Sequence, residues 1–476
     1  MKNALNWIGG QWRDSPVRLQ STDPATGEPI GTFADGGIDE ARAAIAAARS
    51  AFTDTSWSRD RHARAAALLE FAQRMAERRD ELVDLLSREN GKTLHDAGIE
   101  IDSTIPKLRY HAALALTDTG RSAEARPGMY SVTLHQALGV AGVIVPWNSP
   151  VILAVRSFAP ALAAGCTVAM KMPAQTALTN GLLLEIAASV ATLPPGTLNS
   201  FTESGNGGAP LLVTDPGVDV VSYTGSTTVG KTIMAQAAAG LKPVSLELGG
   251  KNPMLVFDDA DLDLAVPVLT AAITTFAGQF CMAGSRILAH TGIADRLRER
   301  LAASLEAVRV GPGRDPDVDM GPVIDRAAAE RIDRMIADAE TYAKIVVRGG
   351  LTGAGAFVRP SLIEVTDVQS PIVQQEVFGP VATFEVFDTE SEAITRANAT
   401  PYGLAASVWS RDVDRPMRVA RELDAGTIWT NTWGVIHDQF EEGGFKHSGV
   451  GRLNGRRGME EFQEIKHLVH TAPALP

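Results

Sequence analysis

Cysteine is scarce in this chain: of 476 residues only Cys166 and Cys281 are cysteines, far apart and without a CxxC partner. A disulfide scaffold and a cysteine-rich zinc site are therefore excluded. Positive charge is also short, with 44 Lys+Arg against 56 Asp+Glu and a net charge of −12. A dedicated nucleic-acid binder shows a basic face or stripe instead. Long apolar runs are missing, because Arg156 and several prolines interrupt them well below the roughly 18 residues that a membrane span needs. The first dozen residues hold no apolar segment or small-residue cleavage site, so no secretory leader is expected and the expected location is the cytoplasm. HExxH, GxSxG and clustered His/Cys/Asp spacings do not occur, which leaves metal hydrolysis and serine esterase chemistry without local support, and no metal is expected. No repeat or low-complexity linker divides the chain.

What is present is a large stock of core residues, 45% hydrophobic. At roughly 100–200 residues per domain the length predicts two to four domains. Residues 7–12 read as a tight hairpin, residues 39–52 and 61–90 as helices, and Gly91 as a helix C-cap. From about residue 138 short continuous apolar runs alternate with helical stretches. Runs at 140–145, 167–170, 218–223, 244–246 and 254–257 suit strands buried on both faces, and helices at 155–164, 178–191 and 230–239 suit right-handed crossovers. A second cycle follows a boundary near Gly249-Gly250. It comprises helix 262–276, strand 286–290, helix 294–308, helix 326–342, and runs at 344–347, 381–387 and 404–409 around helix 391–397. The tail at 464–470 is expected to pair with residues 130–135. The reading is two α/β lobes.

In open α/β sheets ligands sit beyond the carboxyl ends of the strands. The residues just after the runs are Trp147 and Asn148, then Lys171, then Gly225 and Ser226, then Glu247. An amide, an amine, a glycine turn and a carboxylate thus reach one rim. Each has a plainer reading: a turn asparagine, a solvated lysine, a strand-to-helix turn, a salt-bridged glutamate. Residues 225–232, GSTTVGKT, also match the P-loop pattern GxxxxGK[ST], and LVFDD at 255–259 resembles a magnesium-holding strand, so a nucleotide triphosphatase is a rival. The milder alternative is that Gly225 and Gly230 admit a dinucleotide pyrophosphate to a helix N-terminus.

Cys166 lies in an apolar stretch and reads as a core thiol. Cys281 is flanked by Gly278, Gln279, Ala283, Gly284 and Ser285, small or polar neighbours that permit close approach of a ligand. A thiol at its ordinary pKa of about 8.5 is a weak nucleophile and needs a base, dipole or cation beside it. Glu247 follows a buried run, where a carboxylate with a raised pKa can act as general base.

Together these segments resemble the NAD(P)-dependent aldehyde dehydrogenases of the hydrolytic type. VPWNSP at 145–150, TGSTTVG at 224–230, LELGGKNP at 246–253, FAGQFCMAGSR at 276–286, QEVFGPV at 375–381 and GGFKHSGVGR at 443–452 match the family's motifs in order and spacing. The resemblance implies a Rossmann-type cofactor domain (1–115 and 138–249), an α/β catalytic domain (250–454) and a small β oligomerisation arm (116–137 and 455–476). It implies Cys281 as nucleophile, Asn148 with the Cys281 backbone N–H as oxyanion donors, and Glu247 as the base that hydrolyses a thioester. Lys171 would hold the adenine ribose, Glu376 the nicotinamide ribose, and Ser226 with Trp147 the pyrophosphate path, with Phe378 near the nicotinamide. A homodimer or homotetramer is implied. Acyl transfer to coenzyme A is disfavoured, since relatives that do so typically lack the signature glutamate. On this resemblance Lys231 is no phosphate lysine, although a nucleotide hydrolase and a non-catalytic protein on a retired scaffold stay as alternatives.

Three positions depart from the family pattern. Ala174 stands where NAD-preferring relatives often carry Glu, which removes a repulsion toward a 2′-phosphate and admits NADP. Thr228 replaces a common Glu in the glycine turn. Glu441-Glu442 replace a pair that commonly includes an aromatic. By position Ser149, Leu153, Phe276, Phe280, Met282, Trp433, His437 and Phe440 would line the aldehyde tunnel, with Ser149 widening it. These walls suggest an aromatic or medium-chain apolar aldehyde. The alternative is a cationic amino-aldehyde of the betaine aldehyde kind, bound by Trp433 and attracted by the two glutamates. No arginine stands in this set to clamp a carboxylated substrate.

Overall fold

A computed structural model describes residues 2–472. Two sheets organise the chain. The first has eight strands, in the order Gly449–Val450, Val244–Glu247, Val220–Thr224, Val140–Ile144, Thr167–Pro173, Leu198–Glu203, Asn6–Ile8 and Gln11–Arg13. The pairings from Val244–Glu247 across to Leu198–Glu203 are parallel, and the flanking ones are antiparallel. Starting from Val140–Ile144, the chain adds strands toward one edge, then returns to add Val220–Thr224 and Val244–Glu247 on the other side. That reversal opens a crevice between Val140–Ile144 and Val220–Thr224, the usual ligand position in such sheets.

The second sheet has seven strands: Lys344–Val347, Ser361–Glu364, Val381–Phe387, Arg286–His290, Pro253–Val256, Ala405–Trp409 and Thr427–Thr430. Only the edge pairing of Lys344–Val347 with Ser361–Glu364 is antiparallel. Apolar side chains fill both faces of the two sheets, as the continuous runs require. At the centre of the second sheet the Arg286 guanidinium grips Glu385 of the neighbouring strand at 2.8 and 2.9 Å, both side chains fully buried. A third, exposed sheet joins Ser122–Arg126, Met129–Ala137 and Gln463–Thr471, with Ile465 opposite His135 and His470 opposite Tyr130, the pairing expected of the tail. Among the described residues no helix is long and apolar enough to cross a membrane.

Several elements differ from the sequence expectation. Residues 61–90 form two helices, Arg61–Glu77 and Arg79–Asn90, because Arg78 leaves helical geometry and its guanidinium bridges Glu81 and Glu185. Helix Pro150–Ala164 starts five residues earlier than read, with proline in its first turn, where the missing N–H costs nothing. The helix expected over 262–276 ends at Thr274, and a 3₁₀ turn follows in which Phe276 and Ala277 sit at φ 54°. Strand Leu198–Glu203 has no counterpart in the reading: its Asn199, Ser200 and Thr202 look like loop residues yet are buried. Asn199 earns its place by bonding Gly9 N, Val168 O and Gly196 O. A small sheet of Lys2–Ala4, Pro29–Asp35 and Val17–Thr22 and a 24-residue helix, Leu94–Thr117, also lie outside the reading.

Candidate active site

The crevice rim and the cavity beside it carry most of the predicted residues. The turn after Val140–Ile144 carries Trp147, whose carbonyl accepts from Asn90 Nδ2 at 2.8 Å and whose ring meets Phe378 edge-on at 5.6 Å. Buried Asn148 donates through Nδ2 to the Gln279 carbonyl at 3.0 Å, which ties the first sheet's rim to the loop bearing Cys281. Strand Thr167–Pro173 presents Lys171, and Ala174 follows directly. Burial lowers the Lys171 pKa, while Glu203 and Asp35 oppose that shift.

Glycine at two positions has a steric cause. A Cβ on Gly230 would lie 2.5 Å from Leu248, so this glycine lets helix Thr227–Ala238 pack on the sheet. A Cβ on Gly249 would lie 2.2 Å from Glu376, so that glycine makes room for a carboxylate. Glu376 accepts from Gly250 N at 3.1 Å, and burial pushes its pKa up to about 7, with Lys251 and Arg331 opposing. Ser226 caps the helix by accepting from Val229 N, leaving an exposed N-terminus beside Gly225. Such an end favours a phosphate. The strand-order reversal, this open helix end, the buried-rim lysine and the carboxylate in its glycine cradle fit a dinucleotide. They do not fit a P-loop, because Asp258 and Asp259 follow a strand of the other sheet and pair with Arg415.

Cys281 is partly exposed, but onto a cavity. The thiol pKa is accordingly pushed up to about 12, by burial first and by Glu442, Glu376 and Glu247, with Arg156 opposing. Its loop is clamped by Asn252, which donates to the carbonyls of Cys281 and Ala283 at 2.8 Å each and accepts from Ala405 N at 3.0 Å. Sequence reading passed over Asn252, although it sits inside LELGGKNP. Glu247 ends strand Val244–Glu247, is 3% exposed, and has one oxygen, Oε1, without a partner. Burial pushes its pKa up to about 8, Glu442 and Glu461 add to this, and Arg156 and Arg452 oppose it.

The cavity encloses about 480 Å³ and reaches both Cys281 and Asn148. Ser149, Leu153, Phe276, Phe280 and Trp433 line it as expected, with Phe280 edge-on to Phe276 and Trp433 at 5.7 and 5.8 Å. Three expected residues do not. Met282 is fully buried away from the cavity among Leu404, Ala405 and Trp429, leaving only its carbonyl to accept from Trp433 Nε1 at 2.9 Å. His437 and Phe440 lie exposed beside each other on the surface. Ser149 does not simply widen the space, since Lys92 Nζ donates to its hydroxyl at 3.0 Å and lies 3.9 Å over the Phe276 ring.

The charged part of the wall is a further correction. An arginine is present after all: Arg156 lines the cavity, and its guanidinium is held by Glu442 at 2.6 Å. Glu442 is buried and already paired, so it offers no free charge to a cation, and Glu441 lies exposed outside the wall. Lys107 pairs with Asp438, Lys92 with Glu100, and Arg79 with Asp102. Every acidic side chain lining the cavity has a basic partner.

The class of protein defined by this fold and site, a dinucleotide crevice facing a cysteine-bearing cavity, agrees with comparison to known proteins. The sequence pattern of the aldehyde dehydrogenase family matches residues 12–468. The betaine aldehyde dehydrogenase of Bacillus subtilis (strain 168) is 36% identical over 480 residues, covering 98% of this chain and 98% of that protein. The phenylacetaldehyde dehydrogenase of Pseudomonas fluorescens is 37% identical over 478 residues, covering 97% and 95%. A crystal structure of the Staphylococcus aureus betaine aldehyde dehydrogenase in complex with NAD+ superposes with a TM-score of 0.96 at 37% identity, covering 99% of this chain and 95% of that one. The chain belongs to the aldehyde dehydrogenase family and is an NAD(P)-dependent aldehyde dehydrogenase.

Proposed function

We propose that the enzyme oxidises an aromatic or medium-chain apolar aldehyde to the carboxylic acid through a covalent thioester on Cys281. The observation that carries this is the sharing of one cavity by Cys281 and Asn148, with Glu247 close enough for its charge to act on the Cys281 thiol. Cys281 Sγ, as thiolate, bonds to the aldehyde carbon, and the carbonyl oxygen becomes an oxyanion. The second Asn148 Nδ2 proton and the Cys281 backbone N–H stabilise that oxyanion, a contribution typically worth about 100–1,000-fold in rate per donor. When bound, the dinucleotide would supply the acceptor for the hydride of that carbon, the one piece of chemistry the protein does not provide. The C=O bond reforms as a thioester. Glu247 then takes a proton from water as the water oxygen bonds to the thioester carbon, the Sγ–C bond breaks, and the acid departs.

Lys171 and Glu376 would hold the two riboses, Gly225, Ser226 and Gly230 with Trp147 the pyrophosphate path, and Phe378, edge-on to Trp147, the nicotinamide end. The first sheet with its helices serves as the cofactor domain, the second as the catalytic domain, and the exposed third sheet as an oligomerisation arm. With Ala174 in place of an acid, NADP is accepted alongside NAD.

The apolar substrate reading rests on the pairing of every charge in the cavity wall, which leaves Phe276, Phe280, Trp433, Leu153 and Ile152 as the surfaces available to a tail. The same aromatic trio supports a second reading, a quaternary-ammonium aldehyde held by cation–π contact. Steady-state rates with an arylaldehyde, a straight-chain aldehyde and a trimethylammonium aldehyde, each with NAD and with NADP, separate the two. The apolar reading expects the arylaldehyde or straight-chain aldehyde to give the highest kcat/KM. A preference for the cationic aldehyde overturns it.

A further inference from the structure

Arg156, Glu442 and Glu247 form a buried charged group beside the cavity, brought together from helix Pro150–Ala164, the segment before Gly443 and strand Val244–Glu247. The Arg156 guanidinium donates to Glu442 Oε1 at 2.6 Å and to Thr224 Oγ1 at 3.0 Å. Glu442 is fixed from its other oxygen as well: Oε2 accepts from Asn454 Nδ2 at 2.8 Å. Asn454 Oδ1 in turn accepts from Lys107 Nζ at 3.0 Å, and Lys107 reaches Asp438 at 2.6 Å. Glu247 Oε1 makes no hydrogen bond, yet it lies beside the pair: Thr224, which Arg156 holds, stands opposite Glu247 on the neighbouring strand, and Gly443, next to Glu442, packs against that oxygen. A buried ion pair is weak evidence for stability, because desolvation offsets most of the attraction. Its place here, in the wall of the cavity that holds Cys281 and beside Glu247, gives it another use.

We propose that the Arg156–Glu442 pair is a positioning device for hydrolysis, in which Arg156 holds Glu247 in its proton-accepting form and Glu442 sets the strength of that hold. The proposal rests on the reading of Glu247 as the base. The charged groups acting on Glu247 are Arg156 from the helix, Glu442, Arg452 and Glu461 from the C-terminal segment, and Cys281 across the cavity. Of these, Arg156 favours the Glu247 anion and Glu442 disfavours it. Arg156 stays cationic throughout and transfers no proton. The two members of one ion pair therefore have opposite effects on the same base. A pair that only braced the fold would show the same sign on losing either member.

The test is the pH dependence of acyl-enzyme hydrolysis in Arg156→Gln, Glu442→Gln, Arg156→Lys and Glu247→Gln, with cofactor titration to show that each variant is folded. Arg156→Gln is expected to raise the midpoint of the hydrolytic limb by about one pH unit, roughly a tenfold loss near neutrality, within the usual reach of a nearby opposite charge. Glu442→Gln is expected to lower it, and Arg156→Lys to return it close to the parent value. Shifts in the same direction for Arg156→Gln and Glu442→Gln, or no shift in either, overturn the proposal. Should Arg156→Gln fail to fold, a Glu442→Gln midpoint that does not fall overturns it alone. Retention of the limb in Glu247→Gln refutes the underlying assignment of the base instead.

Discussion

Glu247 and Cys281 both resist ionisation in the free enzyme, and this shapes the expected pH response. As the proposed base, Glu247 must be a carboxylate to take a proton from water, and burial pushes its pKa up to about 8. Below that value the protonated fraction dominates, so hydrolysis should rise about tenfold per pH unit up to about pH 8. A pH profile of single-turnover acid release checks this, and a flat profile from pH 6 to 9 contradicts it. The Cys281 thiol, pushed up to about 12, gives acylation a second rising limb in the same direction. Glu247→Gln should leave hydride transfer in the first turnover and slow steady turnover by about 100–10,000-fold, the usual contribution of a placed base. At the cofactor rim, Ala174→Glu should lower kcat/KM with NADP by on the order of tenfold or more while sparing NAD, since a carboxylate would then face the 2′-phosphate. Equal losses with both cofactors would contradict the reading of that position. Asn148 and Glu247 were legible because each stands at the end of an apolar run, where a polar side chain is conspicuous, and Cys281 because its neighbours are small or polar. Arg156 was not: as a lone charge in a helix it looks like an interruption, and its partner Glu442 lies 286 residues away. Met282 misled in the opposite way, since adjacency to Cys281 does not fix which way a side chain packs.

Among the elements, the cysteine loop depends most on a single outside side chain. Asn252 satisfies two carbonyls of the loop and one N–H of the strand Ala405–Trp409. Asn252→Ala leaves these buried groups unpaired, at about 1–3 kcal/mol each where water does not replace the bond. Activity is therefore expected to fall further than stability, since the displaced segment carries Cys281, the proposed nucleophile. Kinetics alongside denaturant unfolding would show it, and full activity in a folded variant would contradict the assignment. Most parallel strands of both sheets were readable because burial on two faces leaves an uninterrupted apolar signature, but Leu198–Glu203, Ser361–Glu364 and Thr427–Thr430 were not read. Leu198–Glu203 escaped because Asn199 is polar for a structural reason, holding three backbone groups of other segments. The break at Arg78 escaped because ion pairs to Glu81 and Glu185, and no proline or glycine, mark it.

At the scale of the whole molecule, the exposed arm stands apart from the two packed sheets. Its strand Gln463–Thr471 pairs with Met129–Ala137 and exposes Ile465, Leu468 and Val469. Removing residues 463–476 would strip the partner from Met129–Ala137 and take that apolar surface away. The truncated protein is expected to have a lower subunit number by light scattering than the intact one, and an unchanged mass would contradict the role given to the arm. The crevice and cavity lie elsewhere and depend on how the two large sheets meet, through contacts such as Asn148 with Gln279.

The most direct test of the central claim is mass spectrometry of the Cys281 peptide after rapid mixing of the enzyme with an arylaldehyde and NAD, with reduced-cofactor absorbance followed in parallel. The account predicts an acyl mass on Cys281 that accumulates in Glu247→Gln and is lost, together with the absorbance, in Cys281→Ser. Turnover that persists in Cys281→Ser, or reduced cofactor formed with no acyl mass on Cys281 even in Glu247→Gln, would contradict it.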